Sequence, residues 1–212
     1  ETLCWFCGCT TVITLNHERG MGYVEALGRE VTTLSPLINK QRKAVQLHFG
    51  GGSPTFLRPD EIRRLGEIIR RNFDFAADIE ASVEVDPRRL TRDHVVALAE
   101  IGFNRASMGV QDFNPEVQEA VHRIQPVGMT QQAFDWMREL GFHSVNFDLI
   151  YGLPHQTVES FNHTLDTVLN MQPDRLAVFS YAHVPWIKPA QKILVQKVLP
   201  TAEVKLQILK TI

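Results

Sequence analysis

The sequence lacks the features that mark several large classes of protein. It has only three cysteines in 212 residues, and all three lie within the first nine positions. This odd, clustered set argues against a disulfide framework and for a reducing compartment. No apolar run approaches the roughly 20 residues of a membrane-spanning helix, and no segment has the pattern of a signal peptide. We therefore expect a cytoplasmic protein that is not embedded in a membrane.

Neither sign of charge dominates the composition. The formal net charge is -2, and charged residues make up 22% of the chain. Arginines occur in pairs at 63–64, 70–71 and 88–89 but never in a long run. Such pairs are typical of solvated helix faces. The composition therefore predicts no nucleic-acid partner and no charged membrane partner.

Segments with the pattern of strands alternate with segments that have the pattern of helices. The predicted strands are 44–49, 79–85, 105–110, 144–152 and 175–182. The predicted helices are a segment after the cysteines, 58–73, 91–102, 114–123, 130–141, 157–171 and the last dozen residues. Such alternation indicates a parallel sheet with crossover helices. Five strands, with one more inferred upstream, predict an α/β fold with a partial (β/α)6-type barrel of parallel strands and outer helices.

The chain also contains a weak internal repeat. The segments "LAEIGFNRASMGV" and "MRELGFHSVNFDL" share the order helix, Gly-Phe, polar residue and strand, and their glycines, Gly102 and Gly141, are 39 residues apart. The segment "NMQPDRLAVFSY" has the same order with Pro173 in place of the glycine. The repeat supports successive strand-helix units in a single domain.

The period-two alternation of three predicted strands gathers polar side chains on one face. These are Glu80, Ser82, Glu84 and Asp86, then Ser107, Gly109 and Gln111, and then Ser144, Asn146 and Asp148. Barrel interiors usually hold branched apolar side chains, and buried polar groups cost free energy unless each has a partner. We therefore predict a solvated interior that binds a large polar ligand at the carboxyl ends of the strands.

The three cysteines have the spacing C-x2-C-x-C at Cys4, Cys7 and Cys9. This spacing is compatible with half of a zinc site, a thioredoxin-like redox pair, small buried cysteines without chemistry, or an iron-sulfur cluster. A zinc site needs a second ligand pair, and no C-x2-C recurs. The spacing alone does not separate zinc from iron-sulfur.

The order "CWFCGC", helix, strand and "GGGSP" resembles the radical SAM (S-adenosylmethionine) superfamily, whose signature is C-x3-C-x2-C with an aromatic residue before the last cysteine. Cys4 and Cys7 match the second and third cysteines, and Phe6 matches the aromatic residue. The resemblance implies a first cysteine directly before Glu1. We therefore expect residues 1–212 to be a catalytic barrel without its first strand and first cluster cysteine, and without a C-terminal domain.

Five further motifs sharpen the resemblance. The segments "LHFGGGSPTFL", "VEVDPR", "FNRASMGVQDFN", "NFDLIYGLPHQT" and "YAHVP" closely resemble the oxygen-independent coproporphyrinogen III oxidase (dehydrogenase) family of haem biosynthesis. Cys9 favours the oxidase over the related haem chaperone, which binds haem without oxidase activity. That chaperone, a barrel with a structural metal, and a relative that opens haem anaerobically remain as alternatives.

The resemblance implies an enzyme that holds a [4Fe-4S] cluster and SAM, with two SAM molecules in one site. Three thiolates leave one iron for SAM, and one electron then gives a 5′-deoxyadenosyl radical that takes hydrogen from a propionate β-carbon. Loss of CO2 and one electron leaves a vinyl group, and two such events convert coproporphyrinogen III to protoporphyrinogen IX. The implied partners are this porphyrinogen and an electron donor such as flavodoxin or ferredoxin, and the expected state is a monomer.

The resemblance also assigns roles to residues of this sequence. Cys4 and Cys7 would bind the cluster, with Phe6 packed beside it, whereas Cys9 would not be a ligand. The SAM contacts would be Gly51, Gly52, Ser53, Glu84, Gln111, Arg123, Asp148 and Ala182. No protein general base is needed for a radical step. His48 and His183 are interpreted as hydrogen-bonded core histidines rather than substrate contacts.

Overall fold

Five parallel strands alternate with helices along the chain. The structure, a computed structural model of the protein, describes residues 3–9, 12–196 and 198–212. The strands are β1 Ala44–Phe49, β2 Phe75–Val85, β3 Arg105–Gln111, β4 Ser144–Tyr151 and β5 Arg175–Ser180. The α-helices are α1 Glu18–Leu34, α2 Pro59–Asn72, α3 Arg92–Glu100, α4 Pro115–Ala120, α5 Val127–Glu139, α6 Val158–Met171 and α7 Ala202–Thr211. Short 3-10 segments lie at Ser35–Leu37, Pro54–Phe56 and Pro189–Gln196.

The strands form one sheet in the order β1-β2-β3-β4-β5, and each strand pairs in parallel with the next. This order is that of a half-barrel with its helices on the outside, which confirms the predicted fold class. The inferred sixth strand falls upstream of the sequence and stays a prediction. Among the described residues, no helix has both the length and the apolar character needed to cross a membrane.

The two faces of the sheet differ as the alternation of the sequence predicts. On the outer face, Val83, Met108, Val145 and Phe147 are buried beneath the helices, where they form the main core. On the inner face, polar and small residues such as Ser107 are only partly covered. The apolar core therefore lies between sheet and helices, and the polar face of the half-barrel is only partly covered.

The internal repeat corresponds to a recurring helix end. Gly102 and Gly141 both adopt positive φ, at 87° and 86°, directly after α3 and α5. The backbone N–H of Phe103 donates to Leu98, and that of Phe142 donates to Met137, which closes a Schellman turn in each unit. Both phenylalanines are buried, so each turn also directs the chain into the core.

Polar residues before the strands extend the ladder at its amino edge. Asn104 donates its backbone N–H to the carbonyl of Ala81, and its side-chain oxygen accepts the N–H of Ala81 at 3.1 Å. Asp174 makes the same pair of bonds with Val145, with its carboxylate accepting at 2.7 Å. These side chains fix the strand register at the amino edge of the sheet, which is opposite the carboxyl edge.

Strand β2 begins earlier than the sequence pattern predicts. The structure starts it at Phe75 rather than at residue 79, because Phe75 pairs with Ala44 across a register shift in β1. Helix α5 also begins earlier than predicted, at Val127 rather than at residue 130, and Pro126 is its N-cap.

Candidate functional site

The carboxyl ends of the strands bring the predicted site residues to one edge of the sheet. Gly50 to Gly52 follow β1, Glu84 lies near the end of β2, and Asp148 lies on the inner face of β4. Gln111 ends β3 with a positive φ of 68°, at a register shift against β4. Ala182 follows β5, where its carbonyl accepts a hydrogen bond from Gln191.

The cysteine loop is anchored over this edge. The N–H of Trp5 donates to the carbonyl of Val121, and the Trp5 ring stacks on His122 with centroids 5.0 Å apart. The N–H of Cys7 donates to the carbonyl of Cys4 at 3.0 Å, which forms a tight turn. Phe6 packs against a small apolar cluster formed by Val117, Val121, Leu153, Tyr181 and Leu194. The loop therefore has a defined position although it contains little regular structure.

Two arginine side chains converge on the sulfur of Cys4. Arg88 donates from Nη2 to Cys4 Sγ at 3.2 Å, and Arg123 donates from Nη1 at 3.4 Å. Cys4 itself is only 6% exposed. The sulfur of Cys4 therefore lies in a buried, positively charged and hydrogen-bond-donating environment.

Asp86 holds both arginines together. Burial opposes ionisation of Asp86, but hydrogen bonds from Arg88 and the charge of Arg123 outweigh it and lower the pKa of this carboxyl below 3.8. The interpretation of 88–89 as part of a solvated helix face is wrong for Arg88. Arg88 follows strand β2, and its side chain is only 16% exposed. The turn at "VDPR" directs this side chain back onto Asp86.

Glu84 is positioned by the glycine loop. Its Oε2 accepts the backbone N–H of Gly51 at 3.1 Å, and its Oε1 lies 3.5 Å from His48 Nε2. A Cβ on Gly50 would come within 2.5 Å of His48 Nε2. His48 Nδ1 lies 2.7 Å from Ser82 Oγ. His48 is hydrogen-bonded as predicted, but it is exposed on the inner face, so its assignment to the core is wrong.

Asp148 lies in a polar row across β3 and β4. Its Oδ2 accepts from Ser107 Oγ at 2.8 Å, and its Oδ1 accepts from Asn146 Nδ2 at 2.8 Å. Burial raises the pKa of Asp148 above 3.8, the bonds from Ser107 and Asn146 oppose this, and the nearby charge of Glu84 adds to the rise. The predicted polar parity thus places two carboxylates close enough to influence each other.

Arg123 reaches the inner face because Gly109 leaves room for it. Its Nη2 donates to the carbonyl of Gly109 at 2.7 Å. A Cβ on Gly109 would meet Gln111 Nε2 at 2.7 Å and Arg123 Nη2 at 3.1 Å. The Nε atom of Arg123 is buried without a hydrogen-bond partner among the described residues. Arg123 therefore retains a donor that the described residues leave unused.

A buried network behind Arg123 was missed by the sequence analysis. Gln125 donates to the carbonyl of Gly109 and to Thr130, and Gln118 donates to the carbonyls of Asp112 and Gln125. The sequence signal was weak, since glutamines of this kind also occur on helix surfaces. The network fixes the loop that carries Arg123.

Cys9 is the third cysteine of the loop and differs from the other two. Its backbone N–H donates to Cys7 Sγ at 3.4 Å. Partial burial, reinforced by Cys7 and Glu84, raises the pKa of the Cys9 thiol to about 11. Lys188, which donates to the carbonyl of Cys9 at 3.2 Å, opposes the rise.

The donor set fits an iron-sulfur cluster in type and position. Cys4 and Cys7 lie in one tight turn. The glycine loop after β1 leaves its backbone bare, with Gly51 at a φ of 112° and no atom of the described residues within 4 Å of its Cβ position. Within 3–9, 12–196 and 198–212, no three His, Cys, Asp or Glu side chains are grouped to hold a metal ion. Among the described residues, Cys4 and Cys7 are therefore the two candidate cysteine ligands, and their assignment stays a prediction.

Gly52 and Ser53, the remaining predicted SAM contacts, lie in the loop that follows β1. Gly52 and Ser53 lead from the glycine loop into the 3-10 segment Pro54–Phe56, where the carbonyl of Ser53 accepts the N–H of Phe56. His183 Nδ1 lies 2.9 Å from the hydroxyl of Tyr181. The structure thus brings the predicted residues to one edge, whereas their ligand contacts stay predictions.

Comparison with known families identifies the fold. The sequence model of the radical SAM superfamily matches residues 2–168. The chain belongs to the radical SAM superfamily.

Relatives of this radical SAM chain include oxygen-independent coproporphyrinogen III oxidases. The enzyme of Synechocystis sp. is 45% identical over 207 residues, which cover 98% of this chain and 44% of the relative. That of Escherichia coli strain K12 is 48% identical over 208 residues, which cover 98% of this chain and 45% of the relative. A solved structure of coproporphyrinogen III oxidase from Escherichia coli, described as a radical SAM enzyme, aligns with a TM-score of 0.95 and 47% identity over 99% of this chain and 48% of that one. The radical SAM chain spans less than half the length of these relatives.

Proposed function

We propose that this chain is the radical SAM part of an oxygen-independent coproporphyrinogen III oxidase. The complete enzyme would convert two propionates of coproporphyrinogen III to vinyl groups and yield protoporphyrinogen IX. The observation that carries the proposal is the position of the Cys4 thiol, which lies beside Arg88 and Arg123 at the carboxyl ends of a polar-faced half-barrel. The identity of 45–48% to proteins with this name supports the choice of substrate.

The site residues fit a [4Fe-4S] cluster and SAM. Cys4 and Cys7 would ligate the cluster, with Phe6 packed beside it, and the backbone of Gly51, Gly52 and Ser53 would approach SAM without obstruction. When bound, the cluster and SAM supply the one-electron chemistry that activates an unreactive C–H bond. The polar half-barrel would bind the reactants and shield them from water.

Charged residues would contribute to binding both SAM molecules. Glu84, which Gly51 already orients, would accept hydrogen bonds from SAM hydroxyls or from its amine. Arg123 would pair with a carboxylate in a two-pronged geometry, because its buried Nε is unpartnered among the described residues. A second SAM would contact Gln111, Arg123, Asp148 and Ala182.

The remaining features of the proposal concern the surroundings of the enzyme. Cys4, Cys7 and Cys9 are free thiols, which suits a reducing compartment, and we place the protein in the cytoplasm. Reduced flavodoxin or ferredoxin would supply the electron. The protein would act as a monomer, with further chain on both sides of the barrel.

The deciding experiment uses the complete natural polypeptide that carries this sequence, reconstituted with iron and sulfide under argon. With SAM, a reductant and coproporphyrinogen III, it should release 5′-deoxyadenosine and form a product that has lost two carboxyl groups, as measured by mass spectrometry. Stable haem transfer without decarboxylation would favour the chaperone instead. A parent sequence with no cysteine directly before Glu1 would contradict the ligand assignment.

Matched cysteine variants test the ligand set within the same protein. Cys4→Ser and Cys7→Ser should lose most of the bound iron and the visible absorption of the cluster. Cys9→Ser should retain both, because Cys9 is not assigned as a ligand. Equal loss of iron in all three variants would contradict the proposed division of roles.

A further inference from the structure

Arg88 and Asp86 form a rigid pair beside the Cys4 sulfur. Arg88 Nε lies 3.0 Å from Asp86 Oδ1 and 3.1 Å from Oδ2, and its Nη2 donates to Oδ2 at 2.6 Å. The backbone N–H of Arg88 also donates to Asp86 Oδ1 at 3.0 Å. Such a two-pronged pair fixes the plane of the guanidinium. The Nη2 group is thereby held in place to donate to Cys4 Sγ as well.

The two arginines beside Cys4 have different connections. Arg123 also donates to the carbonyl of Gly109. Its Nε has no partner among the described residues and is assigned to the proposed binding of SAM. Arg88 directs its side-chain donors to Asp86 and Cys4. Its neighbour Arg89 is exposed, although it carries the same charge one position along the chain. Both arginines donate to the sulfur, but Arg88 makes the shorter contact, at 3.2 Å against 3.4 Å for Arg123.

Hydrogen bonds to cluster sulfurs and nearby positive charge are among the factors that set the potential of iron-sulfur clusters. The reduced cluster carries one more negative charge than the oxidised one. An N–H donor and a cation at a ligand sulfur therefore stabilise the reduced form more and raise the reduction potential.

We propose that Arg88, oriented by Asp86, is a positioning residue that raises the reduction potential of a cluster ligated by Cys4. This inference rests on the proposed function, since it needs the cluster. Burial of Cys4 strengthens the effect, because the interaction between Arg88 and the sulfur is poorly screened by water.

The test is potentiometry of the reconstituted complete polypeptide, followed by electron paramagnetic resonance of the reduced cluster. Arg88→Gln should make reduction about tenfold less favourable, which for a one-electron couple is a shift of about 59 mV to more negative potential. Arg88→Lys keeps the charge but not the two-pronged bond to Asp86, so its potential should lie between those of the wild type and Arg88→Gln. The control Arg89→Gln removes the same charge from an exposed position and should leave the potential unchanged.

The outcomes separate this inference from the proposed function. An intact cluster with unchanged potential in Arg88→Gln would overturn the role of Arg88 and leave the proposed function standing. If Arg88→Gln fails to hold iron, the measurement passes to Arg88→Lys, and an unchanged potential there would overturn the inference. An equal shift in Arg89→Gln would also overturn it, since net charge alone would then suffice. A wild-type protein that forms no 4Fe centre would overturn the proposed function and this inference together.

Discussion

On the inner face, a residue with no side chain leaves space that neighbouring side chains occupy. Gly109 shows this, since the space beside it is occupied by the side chains of Gln111 and Arg123. Both of these residues are proposed SAM contacts. The absence of a side chain at Gly109 therefore leaves room for both of these proposed contacts.

Gly109→Ala should weaken SAM binding. The new Cβ would come within 2.7 Å of Gln111 Nε2 and 3.1 Å of Arg123 Nη2, and so would disturb both proposed contacts. Loss of one hydrogen bond to a charged group costs about 1.5–3 kcal/mol, or roughly tenfold or more in affinity. Isothermal titration of the reconstituted protein with SAM measures the change. Gly128→Ala is the control, because Gly128 lies in α5 and none of the residues that the structure describes comes within 4 Å of its Cβ position. Equal affinity in Gly109→Ala and the wild type would show that Arg123 adjusts or does not bind SAM.

Asp112 is a buried carboxylate behind the site, where it accepts hydrogen bonds from Asn114, Gln156 and Thr164. Burial raises its pKa above 3.8, and these bonds oppose the rise. The folded state therefore binds this proton more tightly than the unfolded state does. The resulting stabilisation is complete below pH 3.8 and is lost as the pH rises through the folded pKa.

Comparison of the wild type with Asp112→Asn isolates this titration. The free energy of unfolding of the wild type, relative to the variant, should fall as the pH rises across that window. Urea denaturation at a series of pH values measures the difference. A difference that stays flat, or rises with pH, would contradict the raised pKa of Asp112.

At the scale of secondary-structure elements, the helix ends explain the internal repeat. The αL glycine, the Schellman bonds and the buried phenylalanine recur after α3 and α5. After α6, Gln172 takes the left-handed conformation instead, with a φ of 56°. Glycine is favoured at such positions because it has no Cβ to clash with the backbone.

Gly141→Ala should lower the free energy of unfolding by about 1–2 kcal/mol, the cost of a left-handed conformation for an L-residue. No atom of the described residues lies within 4 Å of its Cβ position, so the expected cost comes from the backbone conformation. Gly141→Asn is the matched variant and should lose less, because asparagine tolerates this conformation. Denaturant unfolding measures both changes, and equal losses would show that a steric contact dominates.

The elements and the polar face could be predicted from sequence because periodicity and helix-end residues report local structure. The cluster of Asp86, Arg88 and Arg123 on Cys4 could not. Arg88 and Arg123 lie 84 and 119 positions from Cys4 along the sequence, and they contact it only when the cysteine loop folds over the sheet. A pair of arginines has the same sequence pattern whether it faces water or a thiolate. The side-chain network of Gln118 and Gln125 could not be predicted either, because a glutamine has the same sequence pattern whether it is buried or on a helix surface.

At the scale of the whole molecule, stability and ligand binding use opposite faces of one sheet. The outer face carries the core, in which Phe147 is fully buried and packs edge-on against Phe134 with ring centroids 5.5 Å apart. The inner face carries the polar side chains. Each strand therefore contributes alternately to folding and to the site.

Phe147→Ala should destabilise the protein by about 3–5 kcal/mol, the usual cost of removing a buried aromatic ring. Phe179→Ala makes the same change at a side chain that is 56% exposed on β5, and it should cost much less. Thermal unfolding followed by circular dichroism compares the two. Similar losses would show that β5 is covered by a part of the protein not described here.

The side chains that lock strand register, Asn104 and Asp174, lie at the amino edge of the sheet, whereas Glu84, Gln111 and Asp148 lie toward the other edge. Mutation at one edge therefore has little direct effect on the other. Natural selection can alter what such a scaffold recognises by changing the loops at its carboxyl edge, while the residues that fix the register keep their identity. This separation allows one architecture to diversify its chemistry without first losing its ability to fold.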